Sequence, residues 1–312
     1  MTGRARYDRT VPGLAALLHQ QRGLARRSQL RALGVTDGHV RSQLAARRWQ
    51  LVAPEVVSTD NGLLDRGQLL WRAVLHASTG WLGGRSALEV RGLRGYEPEQ
   101  VHVLVPMDAR PARLRGVQVH VTRRLPGLST DGLPGFLPLA PLARSVVDAA
   151  SWSPHPRLAM GVLVAALQQG LVLPREVDAE LEAAGRIRHK VAIRAVLADA
   201  VGGGESVSEI DLGPLLRRAG LPRFRRQVQA PGRRSDVEVD LPDGSVLVIE
   251  VDGPTHDTPE GRWRDSERDA GVAADGKLLL RLPTYAIRFD PDGVVRRLVR
   301  IRTAAERRRD SR

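Results

Sequence analysis

The chain has 312 residues and a formal net charge of +13, a length that predicts two or three domains. It has no cysteine, which excludes disulfides and thiolate metal sites. No run of about 18 apolar residues occurs, so no membrane span is expected. The start Met1-Thr2-Gly3-Arg4 lacks the apolar stretch of a signal peptide, and cytoplasm is the expected compartment.

Charge is spread unevenly. Residues 1–200 carry 27 basic and 16 acidic side chains, a balance of +11, whereas 201–312 carry 21 and 19, a balance of +2. All the basic residues except Lys190 and Lys277 are Arg, a bias that a GC-rich genome also produces. Within 236–269, 11 acidic residues face only Arg262, Arg264 and Arg268. Basic surface attracts phosphates and a dense acidic patch attracts cations, so two functions are expected along the chain.

Residues 11–60 read as a small helical unit with a strand tail. Leu14, Leu17 and Leu18 form a first apolar stripe, interrupted by Gly23. Ser28 is a candidate N-cap for a second helix through Leu33, with Gly34 as its stop. Thr36 caps a third helix whose Val40, Leu44 and Ala45 face inward. Its other faces offer His39, Arg41, Ser42, Gln43, Arg47 and Arg48. Short strands follow around Pro54. This order predicts a winged helix-turn-helix, with His39, Arg41, Gln43, Arg47 and Arg48 as candidate DNA contacts. The competing reading is a plain three-helix bundle with solvated arginines.

Residues 61–200 read as mixed α/β and then helical. A helix over 67–77 and a short one from Ser86 precede strands at 101–105 and 117–121. His102 and His120 lie among alternating valines. Two polar-face histidines on neighbouring strands explain them better than a metal pair does. Asp108–Pro111 reads as the turn connecting these strands. Arg144 and Asp148, spaced i,i+4, predict a surface ion pair. Helices are expected over 158–169 and 174–184, and the glycines at 202–204 mark a boundary.

Beyond it, Ser206 and Glu209 have capping-box spacing, which gives Glu209 a structural role as an alternative to a chemical one. Gly213-Pro214 predicts a break or kink in that helix. Asp236, Glu238, Asp240, Glu250 and Asp252 alternate with Val237, Val239, Leu241, Ile249 and Val251. Period two predicts strands with one apolar and one carboxylate face. Carboxylates crowded on one face repel one another unless a cation sits among them. Pro242-Asp243-Gly244 suits a three-residue hairpin loop with glycine in the left-handed position. That loop sets Asp236 opposite Glu250 and leaves Asp240 about 13 Å along the strand, at roughly 3.3 Å per residue. Thr258 and Pro259 then predict the start of a helix to about Ala274, stopped by Gly276. A strand over 277–282 follows, and 296–312, with eight arginines, reads as a basic extension.

Glu209, the Arg-Arg-Ala-Gly-Leu-Pro segment at 217–222, Val239-Asp240, Glu250-Val-Asp-Gly253, His256, Asp265, Arg268-Asp269, Gly276 and Arg281 recur in an order that resembles the endonuclease-like domain related to very-short-patch-repair enzymes. That family belongs to the PD-(D/E)xK nucleases, with the restriction-endonuclease fold. The front of the chain is similar to the helix-turn-helix region of AbiEi-type antitoxins. The resemblance implies Asp240 and Glu250 as metal ligands, with the Val251 carbonyl as a third. It implies Glu209 as a helper through water and His256 as a proton acceptor or phosphate contact. Arg268 and Arg281 would meet phosphate charge, or pair with Asp265 or Asp269. Asp252 stands where the motif has lysine and could bind a second ion; Lys277 is a substitute if its strand runs alongside. Hairpin spacing adds Asp236 to the metal set, so that set is Asp236, Asp240, Glu250 and Asp252.

The expected architecture is a multidomain α/β chain: a winged helix-turn-helix at 1–60, a middle region at 61–200, a restriction-endonuclease-like α/β domain at 203–290 and a basic extension at 291–312. The expected activity is Mg²⁺-dependent DNA hydrolysis, with Mn²⁺ as an alternative ion. The alternative is an antitoxin-like regulator that keeps a degenerate nuclease fold and has a toxin protein as partner.

Overall fold

The structure is a computed structural model that describes residues 11–124, 137–201, 212–230, 233–252 and 259–311. At 229–230, 233–235, 252, 259–265 and 268 it describes the backbone only. The chain is mixed α/β and divides into two compact units, Met1–Asp148 and Ala149–Arg312. The expected middle region is therefore split between them. Among the described residues, no helix is long and apolar enough to cross a membrane.

The first unit opens with α1 (Leu14–Gln20), β1 (Leu24–Arg26), α2 (Arg27–Ala32), α3 (Asp37–Ala45), β2 (Gln50–Ala53) and β3 (Val56–Ser58). The strands form an antiparallel sheet in the order β1-β3-β2. Leu14, Leu18, Leu30, Val35, Val40, Trp49 and Val57 close its core. Thr36 caps α3 as expected, accepting the His39 N–H at 3.1 Å. Helix α2 begins one residue before Ser28, with Arg26 at the cap position. Its first turn is tied back by the Gln29 side chain, which accepts the Arg26 N–H. Strand β1 was not expected; three residues are too few to show a period.

Next come α4 (Arg66–Ala77), β4 (Trp81–Leu82), α5 (Gly84–Val90), β5 (Val101–Pro106) and β6 (Val117–Thr122), with α6 (Leu142–Trp152) at the division between the units. Strand order is β4-β5-β6. Val101, Val103 and Val105 bury one face of β5 with Leu70, Ala73, Val74 and Ala77 of α4. Strands β5 and β6 run parallel, with Leu104 beside His120. Asp108–Pro111 is therefore part of a crossover that returns to the starting end of the sheet, not a hairpin turn.

The second unit holds α7 (Pro156–Gln168), α8 (Pro174–Ala183), α9 (Lys190–Val201), α10 (Gly213–Arg218), β7 (Phe224–Ala230), β8 (Arg233–Asp240), β9 (Val246–Asp252), α11 (Pro259–Ala274), β10 (Leu278–Pro283), α12 (Thr284–Phe289) and α13 (Pro291–Asp310). Pro214 stands in the first turn of α10, where no N–H is needed, and the helix expected before it lies outside the described residues. The sheet order is β10-β9-β8-β7; β7, β8 and β9 are antiparallel in sequence, and β10 is parallel to β9. One sheet face packs Val237, Val239, Leu241, Leu247, Ile249, Leu280 and Leu282 against Leu212, Leu215 and Leu216 of α10 and its flank and Val294 and Leu298 of α13. The segment expected as a basic extension is thus a helix anchored in the core. Arg288 of α12 holds the buried Asp199 of α9 through both carboxylate oxygens, at 3.1 and 2.9 Å.

Candidate functional site

The β8–β9 hairpin closes through the predicted three-residue loop. The Leu241 N–H donates to the Ser245 carbonyl at 2.9 Å, and the Gly244 N–H donates to the Leu241 carbonyl at 3.0 Å. Gly244 has φ +84°, the left-handed position that an L side chain resists. Asp243 locks the loop by accepting from both the N–H and the hydroxyl of Ser245. These bonds, the Ser245 hydroxyl foremost, and Arg308 from α13 hold its carboxyl down at about 2.

Loop length fixes register. Val237 faces Ile249, Glu238 faces Val248 and Asp240 faces Val246. One residue further, the same register sets Asp236 opposite Glu250. Asp236 takes the Val251 N–H on its carboxylate at 2.8 Å. Asp236, Glu238, Asp240 and Glu250 share one face, because residues two apart on a strand and residues paired across strands point the same way, while Val237, Val239, Leu247 and Ile249 line the other. Glu238 and Glu250 are buried, and Asp240 is exposed.

The face carries two separate charge clusters. Near the loop, Arg225 of β7 grips Asp240 bidentately at 3.0 and 2.8 Å. Its guanidinium also lies 3.6 Å from Glu238, and Lys277 donates to Glu238 at 2.9 Å. At the far end, Arg281 pairs in register with Glu250. Its guanidinium lies 3.5 Å from the Glu250 carboxylate and 2.7 Å from Asp269 of α11. Helix α11 therefore covers this face of the sheet, and its Val272 is fully buried.

The structure thus brings Glu250 and Arg281 together, holds Asp236 on the neighbouring Val251 N–H, and leaves Asp240 outside the group. Lys277 precedes the strand by one residue, four from Arg281. At roughly 3.3 Å per residue it sits about 13 Å from the Glu250 end, with Glu238 rather than Glu250. Arg281 is the cation beside Glu250. The signal for it was the parallel β9–β10 pairing, which no local pattern encodes. Glu209 and His256 lie outside the described residues, as do the side chains of Asp252 and Arg268. Among the described residues, no group of three or more His, Asp or Glu side chains is arranged to hold a metal ion. Asp236 and Glu250 supply two hard oxygen donors of the kind Mg²⁺ and Mn²⁺ take, so the pair fits part of such a shell.

In the first unit the expected DNA contacts separate by exposure. Arg41, Arg47 and Arg48 are exposed, and His39 and Gln43 are half-buried. Gln43 accepts from the Arg48 guanidinium at 2.7 Å. His39 turns edge-on to Trp49, with ring centroids 5.8 Å apart. Burial, then the nearby Arg48, lowers its pKa, and the ring packs beside α3 against Trp49. Arg47 and Arg48 lie in the turn past α3, where the Arg47 carbonyl accepts from Asn61 at 2.7 Å.

Two further polar groups in this unit differ from or sharpen the sequence reading. Arg144 and Asp148 form a 2.6 Å pair with both side chains 11% exposed, an enclosed pair rather than a surface one. His102 and His120 stack at 5.2 Å with Nδ1 of the first 2.9 Å from Nε2 of the second. Burial, with Arg85 and Arg66 nearby, lowers His102 to about 4. Burial and then His102 lower His120 to about 3. Comparison with models of known protein families and with curated proteins gives no match.

Proposed function

We propose that the chain is a metal-dependent DNA endonuclease, in which an N-terminal winged helix-turn-helix binds duplex and the C-terminal sheet hydrolyses a phosphodiester. The observation that carries this reading is the Asp236–Glu250 pair: two carboxylates from adjacent strands at one end of a sheet, with an arginine beside them. The order α10-β7-β8-β9-α11-β10, with three antiparallel strands and a parallel fourth, supports a restriction-endonuclease-like core. The order α1-β1-α2-α3-β2-β3 supports the winged helix.

Asp236 and Glu250 would hold the ion, with the Val251 carbonyl and Asp252 as the donors next in sequence. Mg²⁺ or Mn²⁺ bound there supplies charge neutralisation at the phosphate and lowers the pKa of a water. Arg281, oriented by Asp269, is placed to donate to a phosphate oxygen as negative charge grows there. The Val251 N–H fixes the Asp236 carboxylate, so its orientation is set before any substrate arrives.

A second reading has its own observation. The Arg281 guanidinium already lies 3.5 Å from Glu250, and Asp252 replaces the motif lysine. A fixed cation at that carboxylate competes with a metal ion. This favours an antitoxin-like regulator that binds DNA through Arg41, Arg47 and Arg48, with a toxin protein as partner.

Supercoiled plasmid with Mg²⁺ or Mn²⁺ tests the choice. The endonuclease reading expects nicking by the parent, loss in Asp236→Ala and Glu250→Ala, and retention in Asp240→Ala. Absence of nicking with DNA binding intact sinks it and leaves the regulator.

A further inference from the structure

Helix α13 uses its arginines in two ways. On the flanks of its buried face they are structural: Arg302 donates to the Ala219 carbonyl at 2.9 Å and pairs with Glu306, and Arg308 holds Asp243 at 2.7 Å. Val294, Leu298 and Ala305 fill the core beneath. The outward side carries Arg296, Arg297, Arg300 and Arg307, all exposed. At 100° per residue, Arg296, Arg300 and Arg307 fall within about 40° of one another, opposite the buried stripe. They span roughly 16 Å of helix axis at 1.5 Å per residue.

Most of the acidic charge of α13 is engaged off this face, although Asp292, four residues before Arg296, also feels that guanidinium after Arg218. Asp292 pairs with Arg218, Glu306 with Arg302 and Asp310 with Arg309. Among the described residues, Arg297, Arg300 and Arg307 have no acidic partner within 4.0 Å, and Arg296 reaches only Asp290 at 3.8 Å while 70% exposed. Arg296 and Arg300 stand at i,i+4, a like-charge spacing that destabilises an isolated helix. The packing of α13 does not require this row, because its anchors lie elsewhere.

We infer that the outward face of α13 is a contact surface for the phosphate backbone of duplex DNA. A cationic row that spans about five base-pair rises suits phosphates, which carry regular negative charge. A lipid surface needs apolar side chains beside the basic ones, and the apolar side of α13 is already used in the core. Single strands bind on aromatic platforms, and α13 has no aromatic residue. The row lies across the sheet from Asp236 and Glu250, because α13 packs on the apolar face and the carboxylates occupy the other. It is therefore separate from the candidate catalytic pair and does not depend on cleavage.

The test is fluorescence anisotropy of the full chain with duplex DNA of arbitrary sequence, without divalent ions, over a salt series. The variant carries Arg296→Gln, Arg300→Gln and Arg307→Gln together. The slope of log K against log salt should flatten by about 2–3, near one unit per lost phosphate contact. Because these side chains are exposed, thermal unfolding should match the parent, and this control separates lost contact from lost fold. Adding Arg41→Gln and Arg48→Gln should weaken binding further, as expected of a second surface. An unchanged slope in the triple variant overturns the inference. So does duplex RNA or anionic vesicles displacing the DNA more effectively than duplex DNA does.

Discussion

The β8–β9 register, continued one residue past Val237 and Ile249, sets Asp236 opposite Glu250, where Asp236 accepts the Val251 N–H, while Asp240 lies four residues nearer the loop and is held by Arg225. The carboxylates of one sheet face therefore do not form one site. If the far pair holds the ion, Glu250→Gln or Asp236→Asn should lower Mn²⁺ affinity at least about tenfold, an effect of roughly 1.4 kcal/mol. Asp240→Asn should leave it within about twofold, since its partner is a surface arginine. Mn²⁺ titration followed by electron paramagnetic resonance reads both. Equal loss in all three variants would show that the strand twists enough to unite them.

Arg281 bridges Glu250 and Asp269, so it should act in opposite directions on ion binding and on chemistry. Arg281→Met removes a fixed cation from the carboxylate and is expected to raise Mn²⁺ affinity. It also removes a donor to the phosphate, and nicking should fall by about a hundredfold. If both quantities fall together, the arginine supports the fold of the site and not its charge balance.

In the winged-helix reading, exposure ranks the candidate contacts. Arg41→Ala and Arg48→Ala should each weaken duplex binding and reduce its salt slope by about one. His39→Ala should act first on stability, because the ring packs on Trp49. Chemical denaturation of the His39 variant beside anisotropy of all three separates these effects.

The His102–His120 stack makes stability depend on acid. Both folded pKa values, about 4 and about 3, lie below the ordinary 6.5. Between those limits the unfolded chain binds more protons, so stability is full above pH 6.5 and is lost as pH falls towards 4. Each histidine contributes up to about 1.4 kcal/mol per pH unit across that window. Urea unfolding of the parent at pH 7.5, 6 and 5 should show the decline. His102→Gln with His120→Gln should flatten it.

Arg144 and Asp148 are enclosed, so removing one partner leaves a buried charge less well compensated. Arg144→Ala should cost about 3–5 kcal/mol, whereas Arg144→Met with Asp148→Leu should cost far less. Denaturant midpoints of both variants decide between this and the small effect of a surface pair.

Much of the C-terminal sheet is legible in the sequence. Alternation from Asp236 to Val251 gave the faces, Pro242-Asp243-Gly244 gave the loop, and loop length set Asp236 opposite Glu250. Gly34 and Gly276, both left-handed, marked helix ends, and Thr36 marked a helix start. Each of these signals acts between residues within about four positions, or across a loop of three, where backbone sterics and one hydrogen bond settle the outcome.

What the sequence by itself determined was therefore the hairpin, its carboxylate face and most helix and strand boundaries. The tertiary structure decided which residues meet from afar. It ran β6 parallel to β5 and stacked His102 on His120. It put Arg281, not Lys277, beside Glu250, and it enclosed Arg144 with Asp148. It also folded the arginine-rich end onto the sheet through Val294 and Leu298. The reason is range: strand order and register across a crossover, and the face a helix buries, depend on packing summed over many distant side chains, which no short motif carries.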